Sequence, residues 1–278
     1  MIVGYHTAGL LLHDPIIAVG ELASIGYRSV AIRPHGASLN PGSPDFGRQL
    51  LRLGDAIGKA GVRCVLDLDS PFLPNPQAAR GPSLVSTNPE VAEAAVDWIA
   101  TWISAANDLS AELITFSSGS WSESGLEADE SMLERLSSQI RRLAEDASRR
   151  SVRMALHPRS GDAVATVAKF ERLGQWLEGD ANVLLAADIG EMLASGELPL
   201  ADRLARNLDE LACVYLCDRR AGVEGDQQIG QGDVALARIV QSLRTHQYAG
   251  HVIVRVEGHS ELGFAPARKA IEVLAGGP

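Results

Sequence analysis

The amino-acid sequence predicts an α/β protein, a single closed (β/α)8 barrel, and three observations support this fold class. Eight short, apolar, β-branched runs alternate with longer segments of helical period along the whole chain. The length of 278 residues is normal for one such barrel, so residues 1–278 are predicted to form one domain. Gly4 and Gly9 lack the spacing of a phosphate-binding glycine loop, which disfavours an open nucleotide-binding sheet and a nicotinamide cofactor.

Each predicted strand is followed by a predicted helix, and local start signals support several of the helices. Asn88-Pro89-Glu90 supplies an N-cap, a first-turn proline and a carboxylate at the positive end of the helix dipole. Asp14-Pro15 and Ser43-Pro44-Asp45 form similar signals. The predicted strands are residues 2–6, 29–33, 63–68, 112–116, 152–157, 182–187, 213–217 and 251–257. The predicted helices lie near residues 15–25, 45–60, 89–107, 128–149, 161–177, 201–209, 233–245 and 265–274.

One connection, residues 69–89 after the third strand, is longer than most strand-to-helix connections and is rich in Pro, Asn, Gln and Ser. In a barrel of this kind, the loops that follow the strands build the functional face. We therefore predict that this loop covers the mouth of the barrel and limits entry to small molecules.

The composition excludes several classes of partner. Lys and Arg total 25 against 35 Asp and Glu, a formal charge of −10 without a basic cluster, so nucleic acid is not an expected partner. No apolar run reaches the ~18 residues of a membrane span, and the N-terminus lacks a secretory pattern. The three cysteines lie in apolar runs without zinc-site spacing. We therefore expect a cytoplasmic protein without a membrane partner.

Ionisable residues end each of the last four predicted strands or follow them directly. They are His157, Asp188, Asp218 and Glu257. Catalytic groups of (β/α)8 barrels come from the carboxyl ends of strands and the loops just beyond them, so these residues are candidates for a site. Each also has a structural interpretation, because loop donors and acceptors alone can satisfy a buried carboxylate or imidazole.

The order and spacing of several short motifs carry a resemblance over nearly the whole chain. The motifs are Gly26-Tyr27-Arg28-Ser29-Val30, Asp188-Ile189-Gly190, Asp218, Ile229-Gly230-Gln231-Gly232-Asp233-Val234, Tyr248-Ala249-Gly250 and Val256-Glu257. Together they resemble the sugar-phosphate isomerase/epimerase superfamily, whose fold is the xylose isomerase-like TIM barrel. The resemblance implies a small, carbohydrate-like substrate. In active members, Glu, Asp, His and Glu from strands five to eight hold one divalent ion, and the two glutamates also move the proton.

The four metal positions of the superfamily correspond here to His157, Asp188, Tyr215 and Glu257, so two of the four residue types have changed. The resemblance implies that His157, Asp188 and Glu257 bind Mn²⁺, Zn²⁺ or Mg²⁺, with Glu191 or water completing the shell. We expect weaker binding than in relatives, because an imidazole replaces a carboxylate and a phenol replaces an imidazole. Glu257 and His157 are the candidate catalytic residues, with Glu257 as the base.

A second set of residues is predicted to bind substrate: His6, Tyr215, Asp218, Arg219 and Arg255. Arg219 follows strand seven, where a guanidinium can bind a phosphate or a carboxylate. Arg255 alternates with Glu257 on one strand face, so it is expected one layer below Glu257. A buried arginine needs a carboxylate, which Asp67, Asp188 or Glu257 can supply. Such a pair would provide the cation of the site from the protein itself and keep a metal out.

Two functions from different classes stay open at this point. The first is a metal-assisted isomerase, epimerase or related lyase that acts on a keto-sugar or sugar phosphate by proton abstraction next to a carbonyl. The second is a non-catalytic metabolite-binding barrel, in which His157 and Tyr215 mark a lost metal site. Phosphodiester cleavage is disfavoured, because it would need a multinuclear His, Asp and Glu cluster and a basic surface. A homodimer is compatible with either function.

Overall fold

Eight parallel strands close into a barrel in the computed structural model of the protein, which describes residues 1–123, 129–177 and 183–275. The strands are β1 Ile2–His6, β2 Ser29–Ile32, β3 Arg63–Asp67, β4 Ala111–Phe116, β5 Arg153–Leu156, β6 Val183–Asp188, β7 Leu211–Leu216 and β8 His251–Val254. Strand order follows chain order, and β1 pairs with both β2 and β8. The predicted (β/α)8 fold class is confirmed.

Helices connect the strands. They are α1 Pro15–Ile25, α2 Phe46–Ala60, α3 Pro89–Ala105, α4 Asp129–Arg149, α5 Val167–Leu177, α6 Ile189–Ala194, α7 Leu200–Arg206, α8 Leu236–Thr245 and α9 Ala265–Ala275. The caps predicted for α1 and α3 form, since the side chains of Asp14 and Asn88 accept backbone N–H groups. Asp45 occupies the cap position of α2, but its side chain accepts from Arg48 and makes no capping hydrogen bond to the backbone. Among the described residues, no helix combines the length and apolar character needed to cross a membrane.

The structure departs from the predicted elements in three places near the functional face. The helix predicted from residue 161 begins at Val167, because the preceding segment is a loop in which Ser118 Oγ accepts the N–H of Val164. The strand predicted to reach residue 257 ends at Val254, so the following residues line the mouth without strand pairing. The short helix α6 was not predicted, and it begins where the Asp188 carboxylate caps it. The predicted ends at residues 128 and 182 lie outside the described residues.

The barrel interior is a packed apolar core between two polar ends. Its inner cluster consists of Ala31, Val65, Leu113, Ala155, Ala186, Ala212, Cys213, Tyr215 and Ile253. Side chains of the helices pack against the outer face of the sheet, including the fully buried Leu22 of α1 and Trp102 of α3. Because the centre is filled, the polar groups of the strands gather at the ends of the barrel.

At the amino end of the barrel, three strands contribute a buried polar chain. His251 Nδ1 lies 3.0 Å from Ser29 Oγ, and His251 Nε2 lies 2.7 Å from Glu112 Oε1. Burial lowers the pKa of His251. In this arrangement a neutral imidazole accepts a hydrogen bond from the serine hydroxyl at Nδ1 and donates one to the carboxylate from Nε2–H. Since Ser29 is fully buried and lies opposite the functional face, this chain is a stabilising element.

Candidate active site

Acidic, basic and histidine side chains converge at the other end of the barrel, where the strands terminate. We call them, with one tyrosine, the mouth cluster: His6, Arg33, Asp67, His157, Asp188, Tyr215, Asp226, Arg255 and Glu257. The side chain of Glu257 is 40% exposed, whereas the other charged members are at most 7% exposed. Glu257 is therefore the charged member that meets solvent.

Asp67, the last residue of β3, is the centre of one half of the cluster. Its Oδ2 lies 2.9 Å from His6 Nε2 and 3.1 Å from Arg33 Nη2, and its Oδ1 accepts a hydrogen bond from Thr115 Oγ1 at 3.2 Å. His6 Nδ1 accepts the N–H of Ala8, which places the ring proton on Nε2. Burial would raise the pKa of Asp67, but Arg33 and His6 hold it well below its ordinary value.

Asp188, the last residue of β6, is the centre of the other half. Its Oδ1 accepts the N–H groups of Gly190 and Glu191 at 2.8 and 3.0 Å. Its Oδ2 lies 2.6 Å from Arg255 Nη1 and 3.6 Å from His157 Nε2. Burial would raise the pKa of Asp188, but Arg255 and His157 hold it well below its ordinary value. The carboxylate that the sequence demanded for Arg255 is thus Asp188.

Glu257 joins the two halves. Its Oε1 lies 2.8 Å from Arg33 Nη2 and 3.6 Å from Arg255 Nε. Arg255 Nε also lies 3.8 Å from Asp226 Oδ2. Burial would raise the pKa of Glu257, but the two guanidinium groups lower it. The carboxylate is therefore ionised at neutral pH, and protein groups supply both cations next to it.

Tyr215 of β7 forms the floor beneath these groups. Its ring centre lies 5.6 Å from that of His6 and 5.2 Å from that of His157, and the Arg255 guanidinium carbon lies 5.8 Å from it. Its hydroxyl is 2.6 Å from Thr115 Oγ1. Burial raises the pKa of Tyr215 well above its ordinary value, so the phenol is protonated. A protonated phenol engaged by Thr115 is a poor metal ligand.

The donors at the superfamily's metal positions do not fit a divalent ion. Arg255 engages Oδ2 of Asp188, backbone N–H groups engage its Oδ1, and Arg33 engages Oε1 of Glu257. A divalent ion between these carboxylates would face two guanidinium groups at close range, which like-charge repulsion opposes. In the part of the chain that the structure describes, no group of three or more His, Cys, Asp and Glu side chains is arranged to hold a metal. The ligand set expected from His157, Asp188, Glu257 and Glu191 is not assembled.

Three predicted site residues make contacts that hold loops in place: Glu191, Asp218 and Arg219. Glu191 accepts the N–H of Ser160 at 2.8 Å, which ties α6 to the loop after β5. Asp218 lies just beyond β7, and its Oδ2 accepts N–H groups from the glycine-rich loop that follows it. Arg219 Nε lies 3.0 Å from Asp226 Oδ1 and is one third exposed. Their predicted substrate or metal roles stay predictions.

The loop predicted to cover the mouth contacts the loop after β5. Arg80 forms an ion pair with Asp162 and donates to the carbonyl of Ser160 at 2.7 Å, and Asp69 forms an ion pair with Arg159. A small cavity of about 40 Å³ lies beneath these contacts, between the loop and β4. The loop is thus fastened beside the mouth cluster, while its role in limiting entry stays a prediction.

Arg33, Asp67 and Asp226 were not among the predicted site residues. Arg33 directly follows β2 and Asp67 ends β3, so both carry the signal that marked the later strands, a polar residue ending an apolar run. Apart from His6 of β1, the predicted site residues came from the last four strands and the loops that follow them, where the superfamily holds its metal. Asp226 lies in the loop between β7 and α8 and carries no local signal, because only the fold brings it to Arg219 and Arg255.

The barrel closure defines the class of protein, a (β/α)8 barrel in which ionisable side chains gather at the carboxyl ends of the strands. The xylose isomerase-like TIM barrel family matches residues 19–276, and the chain belongs to this family. The match confirms the resemblance drawn from the motifs. No curated protein sequence matches the chain.

Several solved structures share the fold at low sequence identity. The 3-keto-D-glucoside 4-epimerase of E. coli has a TM-score of 0.77 and 17% identity, with 99% of both chains covered. D-psicose 3-epimerase from Clostridium cellulolyticum H10, solved with D-tagatose, has a TM-score of 0.75 and 16% identity, covering 99% of this chain and 96% of that one. L-ribulose 3-epimerase has a TM-score of 0.73 and 16% identity, covering 96% and 86%.

Proposed function

We propose that this protein is a sugar isomerase or epimerase that moves a proton next to the carbonyl group of a small carbohydrate. The observation that carries the proposal is the position of Glu257. It is the solvent-facing carboxylate of a buried charged cluster, and two guanidinium groups lie beside it. A base next to fixed cations is the combination that proton abstraction beside a carbonyl requires, because negative charge develops on the carbonyl oxygen.

The residues of the cluster take distinct parts in this proposal. Glu257 Oε1 lies 2.8 Å from Arg33 Nη2 and 3.6 Å from Arg255 Nε, and the proposal assigns Oε2 as the atom that accepts the proton from the substrate carbon. The electron pair of the broken C–H bond moves to the carbonyl oxygen, and the Arg255 guanidinium stabilises the resulting enediolate. The proton then returns to the same or the neighbouring carbon. His157, whose Nε2 has no hydrogen-bond partner within the described residues, is the second proton-transfer group.

The similar solved structures support a carbohydrate ligand. Their names specify epimerases of 3-keto-D-glucosides, L-ribulose and D-psicose, all of which are small hydroxy-carbonyl compounds. At the measured identities these structures share the fold, so the substrate of this chain is proposed by class only. The proposal commits to a ketose or keto-glycoside without naming the sugar.

A non-catalytic sugar-binding barrel is the second candidate, and one observation favours it. Asp188 and Glu257, the two carboxylates at superfamily ligand positions, both form ion pairs with arginines. A paired carboxylate with a lowered pKa is a weaker base than a free one. Such a protein would bind the sugar without exchanging its protons.

Solvent deuterium incorporation separates the two candidates. We would incubate the protein in D₂O with D-fructose, D-tagatose, D-psicose and L-ribulose and follow loss of the proton next to the carbonyl by NMR. The proposal predicts exchange with at least one ketose, reduced about 10²–10⁴-fold in Glu257→Gln because the base is lost. Glu261→Gln, in the loop after β8, is the matched control and is expected to exchange at the wild-type rate.

Two outcomes would contradict catalysis by Glu257. Equal exchange by wild type and Glu257→Gln would remove Glu257 as the base. Ligand-observed NMR that detects sugar binding, together with absence of exchange for every sugar that binds, would favour the binding barrel.

A further inference from the structure

Arg255 lies where the resemblance to the superfamily places a divalent ion. Its guanidinium is 2.6 Å from Asp188 and 3.6 Å from Glu257, the two carboxylates that should hold the metal, and 3.8 Å from Asp226. The side chain is 7% exposed, so water screens these attractions little. A single buried guanidinium therefore faces three carboxylates, which come from β6, the loop after β7 and the segment after β8.

The rest of the cluster is consistent with this arrangement. His157 Nε2 approaches the same Asp188 oxygen at 3.6 Å, and the phenol of Tyr215 bonds to Thr115. A metal needs lone pairs directed at one point, whereas the Arg255 guanidinium pairs with Asp188 Oδ2 at 2.6 Å, lies 3.6 Å from Glu257 Oε1 and adds a positive charge. Arg33, which engages the exposed carboxylate of Glu257 at 2.8 Å, adds a second cation.

Among the described residues, five buried polar atoms at the mouth have no hydrogen bond: His157 Nε2, Asp188 Oδ2, Arg219 Nε, Asp226 Oδ1 and Arg255 Nε. Asp188 Oδ2, Arg219 Nε and Asp226 Oδ1 have an ion-pair partner within 3.0 Å. That leaves Arg255 Nε, which is a donor, and His157 Nε2, whose nearest charged partners lie at 3.6 Å or more. Unsatisfied buried polar groups are rare in proteins, and a ligand is one of the ordinary partners for them. A sugar carbonyl or hydroxyl oxygen matches both atoms, since it accepts from the guanidinium and exchanges a hydrogen bond with the imidazole.

We propose that the Arg255 guanidinium takes the place of the divalent ion in this barrel and that the protein binds its ligand without a metal. Arg255 Nε–H donates to the carbonyl oxygen, and the ion pair with Asp188 fixes the guanidinium for that contact. The inference deepens the proposed function and rests on it for the ligand, but the exclusion of metal can be tested without any sugar.

Metal titration of purified, chelator-treated protein tests the inference. We would titrate Mn²⁺ and Zn²⁺ by calorimetry into wild type, Arg255→Met, Arg255→Gln and, as the matched control, Arg219→Met. Both arginines lie at the mouth, but Arg219 forms its ion pair with Asp226 and not with a carboxylate at a metal position. Circular dichroism and urea unfolding would establish that each variant is folded.

Wild type and Arg219→Met are expected to show no saturable metal binding. Arg255→Met is expected to bind Mn²⁺ or Zn²⁺ at least about tenfold more tightly than Arg219→Met does. The reason is that Asp188 and Glu257 lose a nearby cation, while His157 already lies beside Asp188. Arg255→Gln is a second variant in case Arg255→Met does not fold. If neither variant folds, the titration of the wild type still tests whether the protein binds a metal.

Either of two results overturns the inference. One is a wild-type protein that binds one divalent ion per chain and loses it in Asp188→Asn. The other is a folded Arg255→Met that binds metal no more tightly than Arg219→Met. Deuterium exchange is measured separately, so failure of the metal inference and failure of the proposed catalysis can be told apart.

Discussion

Asp188 and Arg255 form a buried ion pair, and removing one partner of such a pair leaves the other charge without compensation. Asp188→Asn keeps an oxygen that can accept the two N–H groups at the start of α6, so it changes mainly the charge. We predict that it lowers the free energy of unfolding by about 3–5 kcal/mol, measured by urea denaturation.

The double variant Asp188→Asn with Arg255→Met provides the control for this pair. Removing both charges also removes the uncompensated one, so the loss in the double variant should be smaller than the sum of the two single losses. Additive losses would show that the two side chains do not act as a pair.

The pH dependence of the proposed reaction follows from Glu257. Its pKa in the folded protein lies below the ordinary value of about 4.3, against the effect of burial and because of Arg33 and Arg255. The base therefore stays ionised as the pH falls, and exchange should not decline between pH 7 and about pH 5.

The ion pairs of Glu257 also make the free energy of unfolding depend on pH. Their contribution is present above the pKa of Glu257 in the unfolded chain and is lost as the pH falls through its lower pKa in the folded protein.

Removal of Arg33 tests the cause of that low pKa. In Arg33→Met, the carboxylate loses its 2.8 Å partner, and the acid limb of the exchange profile should move to higher pH. An unmoved acid limb, in a variant that still folds and exchanges, would mean that Arg33 does not set the pKa of Glu257.

At the scale of elements, the loop between β7 and α8 is organised around one carboxylate. Asp218 accepts the N–H groups of Gly230 and Gly232 at 2.9 Å and that of Arg219 at 3.0 Å. A Cβ atom at Gly232 would lie 2.1 Å from Asp218 Oδ1, so the close approach requires glycine there. The same loop carries Asp226 to the mouth cluster.

We predict that Asp218→Ala loosens this loop, because several backbone donors lose a charged acceptor. The expected loss in the free energy of unfolding is about 1.5–3 kcal/mol, with faster amide exchange at residues 227–234. Hydrogen exchange followed by mass spectrometry measures this. Unchanged protection of the loop would show that Asp218 is free for the substrate role that the sequence suggested.

The polar chain at the amino end of the barrel serves stability alone. Ser29→Ala leaves the buried Nδ1 of His251 without its partner and should lower the free energy of unfolding by about 1–3 kcal/mol. Sugar binding, measured by ligand-observed NMR, should be unchanged because the mouth is at the opposite end of the strands. A loss of sugar binding without a loss of stability would contradict this separation.

At the scale of the molecule, periodicity and length were enough to predict the barrel, since each apolar run had to be a buried strand and each amphipathic segment a covering helix. The second-half positions Asp188, Arg255 and Glu257 were also predictable, because polar residues that end buried strands must meet at one mouth. The partner of Arg255 was not predictable from the sequence, because three carboxylates were possible partners and only the fold brings Asp188 to 2.6 Å. The position of Asp226 was also not predictable from the sequence, because a long loop brings this residue to Arg255.

In the proposed reaction, the mouth cluster transfers protons next to a carbonyl and uses guanidinium groups as its cations. The most direct measurement is deuterium incorporation into a ketose by protein that has been dialysed against EDTA and assayed with EDTA present. We expect exchange to continue at the rate of the untreated protein and to be lost in Glu257→Gln. Exchange that stops with EDTA and returns on addition of Mn²⁺ or Zn²⁺ would contradict it.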